Sequence, residues 1–212
     1  MNEQVVANLR AIDADVLVLP EAWRFRIPDT TWSQELAAEL GYELHQWVSD
    51  TPSRAREVVP FHMVVLTRIP AHRLPDIELP NFGPFGKRSI VQVELPESGL
   101  VVAGAHMYGI HLLLQRSPRG WWRERTALGE VASTVDVLAG DMNMWGPMME
   151  RDAAPLRRAV KGRTFPAKRP HSQIDHILVS DQVRVVSSKV FGDMGSDHRA
   201  VKATLQPDAL VL

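Results

Sequence analysis

The sequence predicts a mixed α/β sandwich built as one domain over residues 1–212. Three observations carry this. Many short apolar segments read as strands, a few helical patterns are interspersed among them, and no repeat, linker or shift in composition divides the chain.

The elements follow in order. Val5, Leu9 and Ile12 recur at helical spacing, so residues 3–13 read as a short amphipathic helix. "DVLVLPE" is a buried strand cut at Pro20, which has no N–H to give a ladder. "TTWSQELAAELG" has a hydroxyl start, a helical apolar pattern and a terminal glycine, and reads as a second helix. Strand-like segments cover 42–48, 61–67, 88–95 and 100–106. Between the second and third of them, "IPAHRLPDIELPNFGPFG" is a loop by its Pro and Gly content. Residues 121–133 look helical, 135–140 form an apolar strand, and "ERDAAPLRRAV" reads as a short helix. Strands at 174–179, 184–191 and 200–205 complete the pattern, with a disordered tail from about residue 206.

Bulk chemistry removes several classes of function. The 24 Lys+Arg nearly balance the 25 Asp+Glu, so no global charge points to nucleic acid or a membrane surface. The chain has no cysteine, which excludes disulfides, thiol catalysis and zinc–thiolate sites. No apolar run approaches the roughly 18 residues of a membrane span. "MNEQVVANLR" has no apolar signal core, so the expectation is a cytoplasmic monomer.

Several strands end in polar residues. "VLAGDMNMW" delivers Asp141 and Asn143 two residues apart, on the face of Val137 and Ala139 if the chain stays extended. "DVLVLPE" delivers Glu21 on the parity of Leu17 and Leu19, and "LVVAGAH" delivers His106 on that of Val102. "QIDHILVS" carries Asp175 on the face of Ile177 and Val179, and "GSDHRAVKATL" places Asp197 and His198 just before an alternating strand. Taken singly, each has an ordinary reading as a turn, a cap or a packed histidine. Together they suit phosphoryl transfer, which needs positioning and charge neutralisation. Glu21 offers a carboxylate to a hard divalent cation, Asp141 can orient a water, and Asn143 can donate to a phosphoryl oxygen. His198 beside Asp175 or Asp197 can move a proton or stabilise developing charge. No HExxH or G-x-S-x-G motif supports a zinc or serine hydrolase.

This ordered set resembles the endonuclease/exonuclease/phosphatase superfamily, from about residue 3 to 205. "ADVLVLPEAW", "FHMVVLTRIP", "LVVAGAHM", "DVLAGDMN", "RTFP", "QIDHILVS" and "GSDHRAVKATL" carry the resemblance. It implies a four-layer α/β sandwich of two packed mixed β-sheets flanked by helices, and Mg²⁺- or Mn²⁺-dependent cleavage of phosphate esters. By the same resemblance, Glu21 and Asp197 match metal-associated carboxylates, and His106 a histidine at the scissile phosphate. Asp141 and Asn143 match the pair that activates the nucleophile and holds the phosphate, and Asp175 orients the catalytic His198. Two positions depart. Pro20 stands where the family usually has glutamine, and the chain begins inside the first helix, without the preceding strand and its site asparagine. Asn2 and Asn8 lie in or beside that helix and cannot replace it. The expectation is a start upstream of residue 1, which leaves room for a signal sequence there.

Substrate clues are local. "QRSPRGWWRERT" and "LRRAVKGRTFPAKRP" gather basic residues near segments leading into the site, and Trp121 or Trp122 offers a stacking surface. The expected activity is a phosphodiesterase acting on a phosphate ester such as DNA or RNA. A catalytically silent binding module is the alternative from another class, and a lipid- or inositol-directed phosphatase a third.

Overall fold

Most apolar patterns take the element their period demands. In a computed structural model, residues 3–21, 31–49, 62–80, 87–114 and 117–208 are described. In chain order they form α1 (Glu3–Ile12), β1 (Val16–Pro20), α2 (Thr31–Leu40), β2 (Glu43–Val48), β3 (His62–Thr67), β4 (His72–Arg73) and β5 (Ile77–Glu78). Then come β6 (Ser89–Leu95), β7 (Leu100–His106), α3 (Ile110–Leu114), α4 (Pro118–Ala132), β8 (Val137–Asp141) and α5 (Gly146–Asp152). The chain closes with β9 (Arg157–Arg158), β10 (Asp175–Val179), β11 (Val183–Val190) and β12 (Val201–Pro207).

Strand pairing gives the layers. One sheet runs β1-β3-β2, all antiparallel. The larger sheet runs β4-β6-β7-β8-β10-β9, with β5 also on β6, and is mixed because β7 and β8 are parallel. β11 and β12 form a separate antiparallel pair. Strand alternation splits the apolar residues between two faces. Val16, Val18, Met63 and Val65 meet Val91, Val93, Val102, Val137 and Val179 between the sheets. On the outer side of the small sheet, Val6, Leu9 and Ile12 of α1 and Leu36 of α2 pack on Leu17, Val64 and Leu66. Beyond the large sheet, Leu128 and Val131 of α4 and Met149 of α5 cover Ala103, Ala105, Leu138 and Leu178. Helices, sheet, sheet and helices make four layers, as the resemblance implied.

Three sequence expectations are corrected. "ERDAAPLRRAV" is not one helix: α5 ends at Asp152, Ala154–Pro155 is cis, and Arg157–Arg158 pair with β10 as β9. Pro155 has no N–H and its ring clashes with the preceding turn, so the helix stops ahead of it. Gln206 and Pro207 are not a tail, since they pair with Arg184 and Val183, whereas residues 209–212 lie outside the described residues. The Pro-rich stretch also holds two-residue strands, β4 and β5, on the edge of β6.

Pro20 ends β1 opposite Met63, and among the described residues the other edges of β1 and β12 carry no strand. Asn8 donates its carboxamide to the Met194 carbonyl at 2.6 Å, and Asn2 lies outside the described residues. A strand and site asparagine ahead of α1 therefore have no counterpart among the described residues.

Gly140 allows β8 to lie against β7. Its φ is +140°, and a Cβ there would sit 1.9 Å from the Ala105 carbonyl oxygen. Gly140→Ala is expected to cost about 3 kcal/mol or more of stability. Urea unfolding will read this, and a midpoint equal to wild type would refute it.

Candidate active site

The register of three adjacent strands lines up the site. In the parallel pair β7–β8, His106 stands opposite Asp141; in the antiparallel pair β8–β10, Asp141 stands opposite Asp175. The three polar ends therefore form a row across the sheet. They share parity with Val102, Val137 and Val179, which face the gap between the sheets. His106 and Asp141 are buried, and Asp175 is half-buried.

His198 completes one cluster. Its Nδ1 lies 3.0 Å from both Asp175 carboxylate oxygens, and Asp141, Asp175 and His198 each bring one ligand atom within 4.8 Å of the others. The "RTFP" segment holds this cluster in place. Buried Thr164 accepts the Ile174 and Asp175 N–H groups at its hydroxyl and the Arg199 N–H at its carbonyl. The Phe165 ring lies 4.8 Å from the His198 ring, centre to centre.

His106 anchors the second cluster. Its Nε2 is 3.7 Å from Asp141 Oδ2, 3.8 Å from Glu21 Oε1 and 3.3 Å from Asn143 Nδ2. Strand parity puts Glu21 on the outer face with Leu17 and Leu19, but the chain turns there with φ +52° and delivers the carboxylate to His106. Asn143 also leaves the extended path, with φ +49°, so it reaches Asp141 through a turn. Asp141 Oδ1 accepts the Asn143 N–H at 2.8 Å, and Oδ2 accepts its side-chain amide at 3.2 Å. The pair therefore makes the local turn that its residue types allow. Asp197 lies at the exposed rim: its side chain is 3.5 Å from the Ser196 hydroxyl, and its carbonyl accepts the Ala167 N–H.

Electrostatics follow from burial and neighbours. Burial and then the Asp175 charge hold the Asp141 carboxyl well above the usual carboxylate range, against His198, the Asn143 N–H and Arg88. For His198, burial pulls downward, but the hydrogen bond and charge of Asp175, with Asp141 and Asp197, push it up to about 9.

Three residues beneath or beside the site escaped the sequence reading, Arg88, His111 and Glu124, and Thr164 was reached only as part of "RTFP". Arg88 is buried and donates through Nη1 to the Met107 and His106 carbonyls at 2.6 and 3.2 Å. His111 Nε2 meets Asn143 Oδ1 at 3.1 Å. Glu124 is fully buried, and its carboxyl is pushed up to about 7 by burial, against backbone N–H bonds from Tyr108 and Gly109 and the Arg88 charge. No local pattern marks Arg88 or Glu124, because a lone charged residue before a strand or in a charged helix reads as solvated surface.

Glu124 gives a pH prediction. Its folded pKa lies above the ordinary 4.5, so the folded state holds a proton that the unfolded chain releases. That stabilisation is complete below about pH 4.5 and is lost as pH rises through about 7. Compared with Glu124→Gln, the wild type is expected to lose on the order of 2 kcal/mol more between those limits. Urea unfolding of both proteins at the two pH values measures this, and parallel losses would refute it.

The sequence profile of the Endonuclease/Exonuclease/phosphatase family matches residues 2–198. No curated protein matches the chain. Among solved structures, an endonuclease/exonuclease/phosphatase from Beutenbergia cavernae is 24% identical with a TM-score of 0.71; the match covers 96% of this chain and 65% of that one. Thus the chain spans less than two thirds of that relative. D. rerio TDP2, complexed with single-strand DNA product, is 16% identical with a TM-score of 0.62, covering 96% and 90%. The catalytic domain of human Nocturnin, with a bound sulfate anion, is 16% identical with a TM-score of 0.61, covering 95% and 85%. At these identities the structures establish the fold. No described helix is long and apolar enough to cross a membrane. The sequence profile covers nearly the whole chain, and the four-layer fold agrees with it: the chain belongs to the endonuclease/exonuclease/phosphatase family.

Proposed function

We propose that this protein is a Mg²⁺- or Mn²⁺-dependent phosphoesterase that hydrolyses phosphodiester bonds by attack of water. The observation that carries the reading is the convergence of Asp141, Asp175 and His198 at the ends of paired strands, flanked by Glu21, His106 and Asn143. The donor set fits a hard divalent cation, which favours carboxylate oxygen. The repulsion between buried Asp141 and Asp175 is of the kind a cation relieves. Glu21 and Asp197 would hold the ion, with Asp141 beside them. When bound, such an ion neutralises phosphoryl charge and lowers the pKa of water.

The chain's own groups do the rest. Asp141 orients and deprotonates the attacking water. Asn143 donates its side-chain amide to a phosphoryl oxygen, and His106 contacts the same group. His198, fixed by Asp175, places positive charge where negative charge develops. Exposed Lys161, Arg163, Lys168 and Arg169 flank Phe165 in the sequence and favour an anionic substrate. Trp121 is core, whereas Trp122 is 63% exposed and carries Arg125 over its ring, which suits stacking with a nucleic-acid base. The TDP2 relative with its single-strand DNA product supports the same substrate class.

The test uses plasmid, single-stranded and abasic-site oligonucleotides, an inositol phosphate and bis-p-nitrophenyl phosphate, with Mg²⁺, Mn²⁺ or EDTA. Turnover is expected with either cation, lost with EDTA, and lost in Asp141→Ala and His198→Ala. Equal turnover in wild type and variants, or none with any substrate, would overturn the catalytic reading and favour a binding module. Turnover of the inositol phosphate alone would replace the diester substrate.

A further inference from the structure

Besides its bonds to Asp141, Asn143 is held at three further points by one short segment. Its carbonyl accepts the Ile110 N–H at 2.9 Å, its Oδ1 meets His111 Nε2 at 3.1 Å, and its Nδ2 donates to the Met107 carbonyl at 3.0 Å. Gly109, with φ +50°, passes so close that a Cβ there would sit 2.2 Å from the Asn143 carbonyl oxygen. Residues 107–111 therefore form a saddle shaped to a left-handed Asn143. Such a turn has no ladder of its own, so something must fix its backbone.

Glu124 does this from α4. Its two carboxylate oxygens accept the Tyr108 N–H at 2.5 Å and the Gly109 N–H at 2.9 Å. From the other side, Arg88 binds the Met107 carbonyl and lies 4.1 Å from the centre of the Tyr108 ring. Trp121, Leu128 and Val131 of the same helix are packed apolar residues. A leucine at position 124 would continue that face, whereas a buried carboxylate carries a desolvation cost of several kcal/mol. Packing alone does not ask for it.

We propose that Glu124 is a positioning residue: by holding the Tyr108 and Gly109 amides it sets the 107–111 saddle, and through it the carboxamide of Asn143 and the backbone of His106. The inference rests on reading Asn143 as the phosphate contact. It assigns a role in the site to a helix residue that touches none of the reacting groups. His111 is the outward end of the same device, since it fixes which way the carboxamide points.

The test compares wild type with Glu124→Ala, Glu124→Gln and Glu124→Asp, using two readouts. With bis-p-nitrophenyl phosphate and Mn²⁺, Glu124→Ala is expected to lower kcat by about 10–100-fold. Its KM should change by less than about threefold, because the displaced Asn143 contact counts mainly in the transition state while the other substrate-binding groups stay in place. Glu124→Gln, which keeps one acceptor and nearly the same shape, should recover part of the loss. Amide hydrogen exchange by NMR is the second readout. Tyr108, Gly109 and Ile110 should lose protection in Glu124→Ala, and the Asn143 side-chain amide signals should shift, while β6 and β7 keep their protection. Wild-type kcat in Glu124→Ala, or protection lost equally through the whole sheet, would overturn the proposal. If Glu124→Ala does not fold, Glu124→Gln decides by the same readouts. If wild type has no turnover, the phosphoesterase reading falls, and exchange alone decides the anchor: loss confined to 108–110 upholds it, and unchanged protection there removes it.

Discussion

Asp141→Asn is expected to reduce phosphodiester turnover by about a thousandfold while leaving the protein at least as stable as wild type. The two halves of this result have one cause. Asp141 is 8% exposed and faces Asp175 across the β8–β10 register, so its negative charge is costly in the folded protein. Asparagine removes that charge and keeps an oxygen for the Asn143 N–H, now bound at 2.8 Å. The stability change should therefore be zero or a gain of about 1 kcal/mol. Activity falls because a neutral amide can neither take a proton from water nor attract a cation. Turnover under saturating Mn²⁺ and the urea midpoint measure the two halves. A variant with lost activity and a clearly lower midpoint would instead make Asp141 a structural residue. Retained activity would remove it from the reaction.

Asp175→Asn and His198→Ala are each expected to lower kcat by about a hundredfold or more, and the double variant should fall little further than the worse single one. Both Asp175 oxygens lie 3.0 Å from His198 Nδ1, so the carboxylate fixes the ring and favours its charged form. Removing either partner disables the same unit. Stability should separate the two. His198→Ala leaves Asp141 and Asp175 facing each other without the compensating imidazolium, and should lower the urea midpoint. Asp175→Asn relieves that repulsion and should lower it less. Additive losses in kcat, multiplying in the double variant, would show that the two residues act independently.

Much of the fold was legible because period and face are local properties. The spacing of Val5, Leu9 and Ile12 specified an amphipathic helix, and α1 buries those side chains or packs them against the small sheet. "VLAGD" specified a strand on which Val137 faces inward, and β8 places it between the sheets. The failure at "ERDAAPLRRAV" was also local. Pro155 inside that segment is by itself sufficient reason to end the helix.

For the site, the strand ends were readable and their company was not. His106, Asp141 and Asp175 each stood out as a polar residue closing an apolar run. That they form one row depends on the parallel β7–β8 register and the antiparallel β8–β10 register. Glu21 shows the limit of periodicity, since its parity points outward and a single left-handed residue brings it in.

The sequence by itself determined most of the elements, the faces they bury, the strand ends and the chemical types that close them. These follow from side-chain alternation and from the cost of leaving charge in a core without a partner. Only the tertiary structure decided which ends meet, that Asn143 sits in a saddle of residues 107–111, and that Glu124 and Arg88 bond to the backbone of this saddle. Those choices are made by strand registers and by buried hydrogen bonds between segments distant in sequence. A charge in a helix carries no local mark of whether water or a backbone amide will be its partner.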